Sequence, residues 1–157
     1  MPNARIRPAT VLDAHAVADV HLTCWRETFG DRITADVYAE REANAPGEWQ
    51  AELAEPARSA TWVADREGTV VGFAHAVATG AKEVRPLELR HLFVPVAEQG
   101  RRTGTHLLEL AIGDAPCQLW VVEDNEQAIG FYRRHSFELD GADREGVGGL
   151  PEVRMVR

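Results

Sequence analysis

The sequence feature that most constrains the fold is a strand, a glycine-containing turn, a helix and a second strand, in that order. The first strand spans Leu87 to Val94 and ends at Pro95, the helix spans Thr105 to Ile112, and the second strand spans Cys117 to Val122. Two strands joined by a helix that packs on their sheet are expected to be parallel. This unit therefore predicts a chain of the α/β or α+β class.

Hydrophobic periodicity and turn residues predict further elements on both sides of this unit. The further strands are expected at 4–8, 61–65, 70–77, 137–139 and 153–156, and the further helices at 12–27, 35–44, 47–55 and 125–135. Pro46-Gly47 joins two of the helical pieces, and a glycine-rich loop, Gly141 to Gly149, separates the last two strands. The interleaved order predicts a mixed sheet covered by helices. A length of 157 residues predicts a single domain over 1–157.

The charge balance disfavours some partners. The formal net charge is −8, so the long-range field repels nucleic acid and anionic membranes. Neither an apolar signal core nor a membrane-spanning run is found, and Cys24 and Cys117 form no disulfide framework. His15 and His21 lack the spacing of a helical zinc motif, so no metal is expected. We expect a cytoplasmic protein with no nucleic-acid or membrane partner.

The turn before the central helix has the composition of a phosphate-binding loop. Gly100 and Gly104 allow the backbone to approach a ligand closely, and the helix start offers free N–H groups and a positive dipole end. Arg101 and Arg102 are unfavourable beside a helix N-terminus unless an anion is bound there. The alternative is a solvated basic turn with both arginines pointing away. Sequence patterns of P-loop and dinucleotide enzymes are absent.

A second helix after a strand carries a candidate catalytic tyrosine. Asn125 is a plausible N-cap, and Ala128, Phe131 and Tyr132 lie on one inward face. Tyr132 is therefore directed at the body of the protein from a helix that begins beside a strand end. The alternative is a core tyrosine whose hydroxyl has a hydrogen-bond partner.

Together these segments resemble the GCN5-related N-acetyltransferase (GNAT) superfamily. The resemblance rests on Leu92 to Pro95, on Gln99 to Thr105, and on Asn125 with Phe131-Tyr132. It implies a mixed, mostly antiparallel sheet of about seven strands flanked by about four helices. It also implies acetyl-CoA as co-substrate, bound where two central parallel strands splay apart.

The resemblance also assigns roles to residues. The backbone of Leu92, Phe93 and Val94 would pair with the pantetheine arm, Asn125 would contact the same arm, and Tyr132 would lie near the thioester sulfur. The pyrophosphate would be held by the loop Gln99, Gly100, Arg101, Arg102, Thr103, Gly104 and Thr105. The chain departs from the family pattern at Arg102 and at Ser136, where glycine is usual.

Acetyl transfer to an amine needs a donor for the developing oxyanion, a proton for the leaving thiolate and a route for the amine proton. The Val94 N–H is the candidate oxyanion donor and Tyr132 the candidate acid. Glu88 is the first candidate base, because two-residue alternation places it on the same face as Leu92 and Val94. The alternative is a Glu88–Arg90 pair with no chemical role. By the same alternation His91 lies on the opposite face and is structural, and His75 ranks second as a base.

The acceptor pocket is expected from the first two helices, where Trp25 and Phe29 are candidate walls, and from the late glycine-rich loop. We predict an acetyl-CoA-dependent N-acetyltransferase that acts on a primary amine, either a small molecule or a protein N-terminus or lysine. The mechanism is direct attack in a ternary complex. The competing hypothesis, suggested by Arg102, is a CoA-binding sensor or interaction module with degraded catalysis. The sequence is compatible with a homodimer.

Overall fold

The computed structural model describes residues 2–157 and places them in a seven-stranded sheet with helices on both faces. The strands are β1 (Arg5–Pro8), β2 (Ser59–Arg66), β3 (Thr69–Ala78), β4 (Leu87–Phe93), β5 (Gln118–Val122), β6 (Glu138–Glu145) and β7 (Pro151–Val156). The helices are α1 (Ala14–Phe29), α2 (Ala35–Ala54), α3 (Thr103–Ile112) and α4 (Glu126–Arg134). The order in the sheet is β1-β2-β3-β4-β5-β7-β6. Only β4 and β5 pair in parallel within the described chain, so the predicted class, element order and parallel pair are confirmed.

The sheet separates two hydrophobic cores. Phe73 of β3 packs with Val17 of α1 and Trp49 of α2 on one face. The next residue, Ala74, packs with Leu107 of α3 on the other face, where α4 also contributes side chains. Neighbouring residues of a strand point to opposite faces, and for this reason the apolar run of β3 serves both cores. We call these the α1/α2 face and the α3/α4 face.

Helix α2 corrects the prediction of two pieces joined at Pro46-Gly47. It runs without a break from Ala35 to Ala54, with Pro46 inside it. Proline removes one backbone hydrogen bond from a helix, but Ala45 and Trp49 on either side of it are buried against the sheet. Packing therefore outweighs the local cost. Within residues 2–157 no helix, this one of 20 residues included, is long and apolar enough to cross a membrane.

Strand β6 corrects the predicted loop Gly141 to Gly149. The strand continues to Glu145, and Asp143 pairs with Val153 of β7. An irregularity between Leu139 and Asp143 absorbs the extra residues, and Gly141 adopts a φ of 89° there. The glycine marks a bulge within a strand rather than the start of a loop.

Candidate active site

A cleft opens in the sheet because β4 and β5 touch at one place and then diverge. Their pairing is limited to Glu88 with Gln118, and β5 continues by pairing with β7 on its other side. The cleft has a volume of about 1140 Å³. The end of β4, the start of α3, the inner side of α4 and the end of α1 form its walls. One edge of β4 therefore lacks a neighbouring strand along most of its length.

The end of β4 offers a backbone donor at the cleft. Leu92, Phe93 and Val94 all line it. The Val94 N–H has no acceptor within residues 2–157, while its carbonyl accepts a hydrogen bond of 2.9 Å from Gln99 Nε2. Gln99 Oε1 accepts in turn from Gln127 Nε2 at 2.9 Å. Gln99 thus ties the end of β4 to α4 and leaves the Val94 N–H available to a ligand.

The predicted phosphate loop lies at the start of α3, which begins two residues earlier than expected. Gly100 has a φ of 78° and Arg102 a φ of 62°. Arg102 therefore takes the left-handed backbone conformation that glycine supplies more easily, at a cost of about 1 kcal/mol. The backbone N–H groups of Thr103, Gly104 and Thr105 make no hydrogen bond within the described chain, as expected for a first helical turn.

The loop residues differ in their access to the cleft. Gln99, Gly100, Arg102, Thr103, Gly104 and Thr105 line it. Arg101 is exposed and lies outside the lining. The structure therefore brings together the free N–H groups and one of the two arginines.

One ion pair and one hydrogen bond fix the turn that leads into this loop. Arg66, at the end of β2, lies 2.5 Å from Glu98 through its Nη1 and donates through Nε to the Pro2 carbonyl at 3.1 Å. The Arg66 side chain is only 6% exposed. From the other side, Glu27 of α1 accepts a 3.0 Å hydrogen bond from the Val96 N–H. The loop is therefore held from β2 and from α1.

Helix α4 places Asn125 and Tyr132 at the opposite wall. Asn125 Oδ1 accepts from the Ala128 N–H at 3.2 Å, which confirms it as N-cap. Tyr132 lines the cleft, and its ring lies 5.4 Å from that of Phe131 and 5.7 Å from that of Phe137. Its hydroxyl has no hydrogen-bond partner within residues 2–157. Burial raises the pKa of Tyr132 well above its ordinary value, so the phenol stays protonated at neutral pH.

The expectation that Glu88 shares a face with Leu92 and Val94 is wrong. Opposite β3, His75 pairs with His91 and Ala76 pairs with Leu89, so Arg90 is an extra residue in a bulge. An extra residue reverses the alternation beyond it. Glu88 and His91 consequently share the α1/α2 face.

Glu88 has partners on both of its carboxylate oxygens. Oε2 accepts from Arg90 Nε at 3.0 Å, and Oε1 accepts from Gln118 Nε2 at 3.0 Å. Gln118 is fully buried and also donates to Glu83 at 2.8 Å. The alternative Glu88–Arg90 pair is therefore present, at the point where β4 and β5 meet.

Comparison with known proteins decides the family. The model of the acetyltransferase (GNAT) domain family matches residues 57–139, more than half of the chain. The chain belongs to the GNAT family. It is 28% identical over 146 residues to "Probable N-acetyltransferase Rv2775" of Mycobacterium tuberculosis, covering 88% of this chain and 82% of the relative.

Solved acetyltransferase structures share the fold. The PaiA N-acetyltransferase of Thermoplasma acidophilum, in complex with coenzyme A, is 19% identical, with a TM-score of 0.76 over 98% of both chains. YncA of Salmonella typhimurium, with its cofactor acetyl-CoA, is 19% identical, with a TM-score of 0.72 over 99% of this chain and 94% of the other. These likenesses extend over the whole sheet, including the part outside residues 57–139.

The candidate acceptor walls of this GNAT chain lie at the end of the cleft formed by α1. Trp25 and Phe29 line it, with their ring centroids 6.1 Å apart. Trp49, in contrast, is buried in the core on the α1/α2 face. Cys24 also borders the cleft; burial raises the pKa of its thiol to about 12.

Sequence reasoning missed one residue of the site. His91 lines the cleft, although the sequence assigned it a structural role. It lies, as predicted, on the face opposite to Leu92 and Val94, but nothing in the sequence shows that the cleft reaches this face of β4. His75, the second-ranked base, lies behind the residues that line the cleft. Its Nδ1 and Thr61 Oγ1 share a hydrogen bond of 2.8 Å. Within residues 2–157, no group of three or more His, Cys, Asp or Glu side chains is placed to hold a metal ion.

Proposed function

We propose that this chain binds acetyl-CoA in the cleft and transfers the acetyl group to a primary amine. The acceptor is a small molecule or the N-terminus or a lysine of a protein. The observation that carries the proposal is the combination, in one cleft, of an unpaired strand end and unpaired N–H groups at a helix start. Membership of the GNAT family supports it. Since both cores share one sheet, we also propose that residues 1–157 form a single domain.

The residues of the cleft fit the parts of acetyl-CoA. The free edge of β4 at Leu92 to Val94 suits the amides of the pantetheine arm, which would pair with it as an added strand does. The N–H groups from Thr103 to Thr105 and the Arg102 guanidinium suit the pyrophosphate. Asn125, whose Oδ1 caps α4, keeps its amide nitrogen for the pantetheine portion. The PaiA and YncA structures hold coenzyme A and acetyl-CoA, which supports the same ligand class here.

Two hydrogen-bond donors of the cleft would assist the reaction. The Val94 N–H would donate to the thioester carbonyl oxygen as negative charge develops on it. The Tyr132 hydroxyl would donate to the departing sulfur. Because burial raises the pKa of Tyr132, full proton transfer from the phenol to a thiolate is unfavourable, and the hydroxyl acts through a positioned hydrogen bond.

Direct attack of the amine is favoured over an acetyl-cysteine intermediate. The thiolate form of cysteine is the nucleophile. Burial raises the pKa of Cys24 to about 12 and that of Cys117 to about 11, so both remain thiols at neutral pH. In the proposed site Glu88 is the carboxylate that faces the acceptor.

A screen for CoA release with a broad panel of amines tests the function. We expect CoA release that depends on both acetyl-CoA and an amine, together with a rise in melting temperature when acetyl-CoA is added. A rise in melting temperature without turnover for any amine would instead support the CoA-binding sensor. No shift and no turnover would contradict both functions.

A further inference from the structure

Three histidines gather on the α1/α2 face behind the proposed acceptor site. The ring centroids of His21 and His91 lie 4.6 Å apart, and those of His75 and His91 lie 5.7 Å apart. Phe73 and Phe93 pack against the same group. Phenylalanine rings would pack in this layer without burying polar nitrogen atoms. The presence of three imidazoles there therefore needs an explanation.

The three rings differ in their hydrogen bonds. His75 contacts Thr61 Oγ1 at 2.8 Å and lies 3.9 Å from Glu52, so its polar atoms have partners. His21 is 6% exposed, and neither of its ring nitrogens has a hydrogen-bond partner in residues 2–157. The ring nitrogens of His91 also have no hydrogen-bond partner within this part of the chain, but the ring lines the cleft. His91 is therefore the member of the group that a substrate can reach.

The surroundings of His91 favour its neutral form. His21 of α1, His75 of β3, Arg41 of α2 and Arg90 of β4 face it, and burial together with these groups holds the pKa of His91 well below its usual value. A neutral imidazole carries a lone pair that can accept a hydrogen bond from the amine N–H, but the same surroundings disfavour the imidazolium, so His91 passes the proton on and does not retain it. Glu88 differs, because Arg90 and Gln118 already donate to both of its oxygens.

We infer that His91, rather than Glu88, accepts the proton of the attacking amine. The inference rests on the proposed acetyl transfer. The amine lone pair forms the new C–N bond, and the C–S bond breaks with its electron pair on the CoA sulfur. The proton lost by the amine nitrogen passes by way of a ring nitrogen of His91 to solvent in the open cleft, so that no imidazolium is retained. Glu88 keeps its position where β4 and β5 meet.

The test compares His91→Ala with His75→Ala and Glu88→Gln in the full chain. We expect His91→Ala to lower kcat by about 100-fold or more, the usual effect of a general base, with unchanged affinity for acetyl-CoA. His75→Ala removes an imidazole ring from the same layer but leaves every residue that lines the cleft in place. Its kcat should therefore stay within a few-fold of that of the unmodified protein. Glu88→Gln should lower kcat by much less than His91→Ala does, because Arg90 and Gln118 already donate to both carboxylate oxygens.

Chemical rescue separates a proton acceptor from a packing residue. Imidazole and its substituted derivatives should restore part of the activity of His91→Ala, and more so as their basicity increases. Should His91→Ala fold poorly, His91→Asn keeps a polar side chain of similar size, and its kcat should fall to the same extent. Melting temperatures of all variants identify folding defects.

The outcomes that overturn the inference differ from those that overturn the function. Full activity of His91→Ala, a loss that no imidazole restores, or a 100-fold loss in Glu88→Gln would each reject His91 as the proton acceptor. Inactivity of the unmodified protein with every amine would reject the proposed function itself, and this inference with it.

Discussion

Arg102 and Ser136 both hold a backbone conformation that favours glycine. Their φ angles are 62° and 70°, and both positions are those where the GNAT resemblance expects glycine. An L-residue in this region costs roughly 1 kcal/mol or more. Ser136 follows α4 and is exposed, whereas Arg102 lines the cleft. The strain at Arg102 is accompanied by a positive charge beside the free N–H groups of α3.

We expect Arg102→Gly to stabilise the fold and weaken CoA binding. Relief of the left-handed strain should raise the free energy of unfolding by about 1 kcal/mol. Loss of the guanidinium should weaken CoA about tenfold, with no effect on pantetheine, which lacks the pyrophosphate. Denaturant unfolding and calorimetry measure the two effects. Ser136→Gly is the matched control, since it should gain stability without changing CoA affinity. Equal losses for CoA and pantetheine would contradict a phosphate role.

Tyr132→Phe should lower turnover and leave cofactor affinity almost unchanged. The ring contacts with Phe131 and Phe137 are kept, and only the unpartnered hydroxyl is lost. Because the proposed role of that hydroxyl is a hydrogen bond to the departing sulfur, we expect kcat to fall about tenfold. Steady-state kinetics and the Kd for acetyl-CoA check this. A fall in affinity as steep as the fall in kcat would mean that Tyr132 serves packing.

At the scale of elements, the Arg66–Glu98 pair joins the end of β2 to the turn before the phosphate loop. Glu98→Gln removes the negative charge from the ion pair of a buried guanidinium. It should therefore lower the free energy of unfolding by about 2 kcal/mol and raise the KM for acetyl-CoA through displacement of the loop. Glu109→Gln, at an exposed position of α3, is the control and should change neither quantity. Unchanged stability of Glu98→Gln would show that the pair does not hold the turn.

The unit β4–loop–α3–β5 could be predicted from sequence because its hydrophobic periods are strong and Pro95 and the glycines mark its turns. The bulge at Arg90 could not, since an extra residue in one strand is set by the hydrogen-bond ladder with β3. That residue alone places Glu88 on the face opposite to Leu92 and Val94, the face that His91 also occupies. The uninterrupted α2 was missed for a related reason: burial of Trp49 overrides the effect of Pro46, and burial is a tertiary property.

At the scale of the whole molecule, the buried histidines make the fold sensitive to acid. Burial lowers the pKa of His21 to about 3, from an ordinary value of 6.5. Below pH 6.5 the unfolded chain binds a proton that the folded chain does not, so stability decreases as pH falls, by up to about 1.4 kcal/mol per pH unit for this residue. His75 and His91 also have lowered pKa values and add to the same trend.

We expect His21→Phe to reduce this pH dependence. Between pH 7 and 5.5 the variant should lose about 1 kcal/mol less stability than the parent, and no hydrogen bond is lost because the ring nitrogens have no partner. Urea unfolding at the two pH values measures it. His106→Gln changes an exposed histidine of α3 and should leave the parent slope. An unchanged slope in His21→Phe would show that His21 is not the source.

The short strand pairing between β4 and β5 has a mechanical consequence. Among residues 2–157, the sheet half formed by β1 to β4 is paired with the half formed by β5, β7 and β6 at one ladder position, Glu88 with Gln118. A molecule that fills the gap and bonds to the free edge of β4 adds a second tie across this seam. Amide hydrogens along the seam should then exchange with solvent slowly when the gap is filled and rapidly when it is empty, so the rigidity of the sheet depends on its occupant.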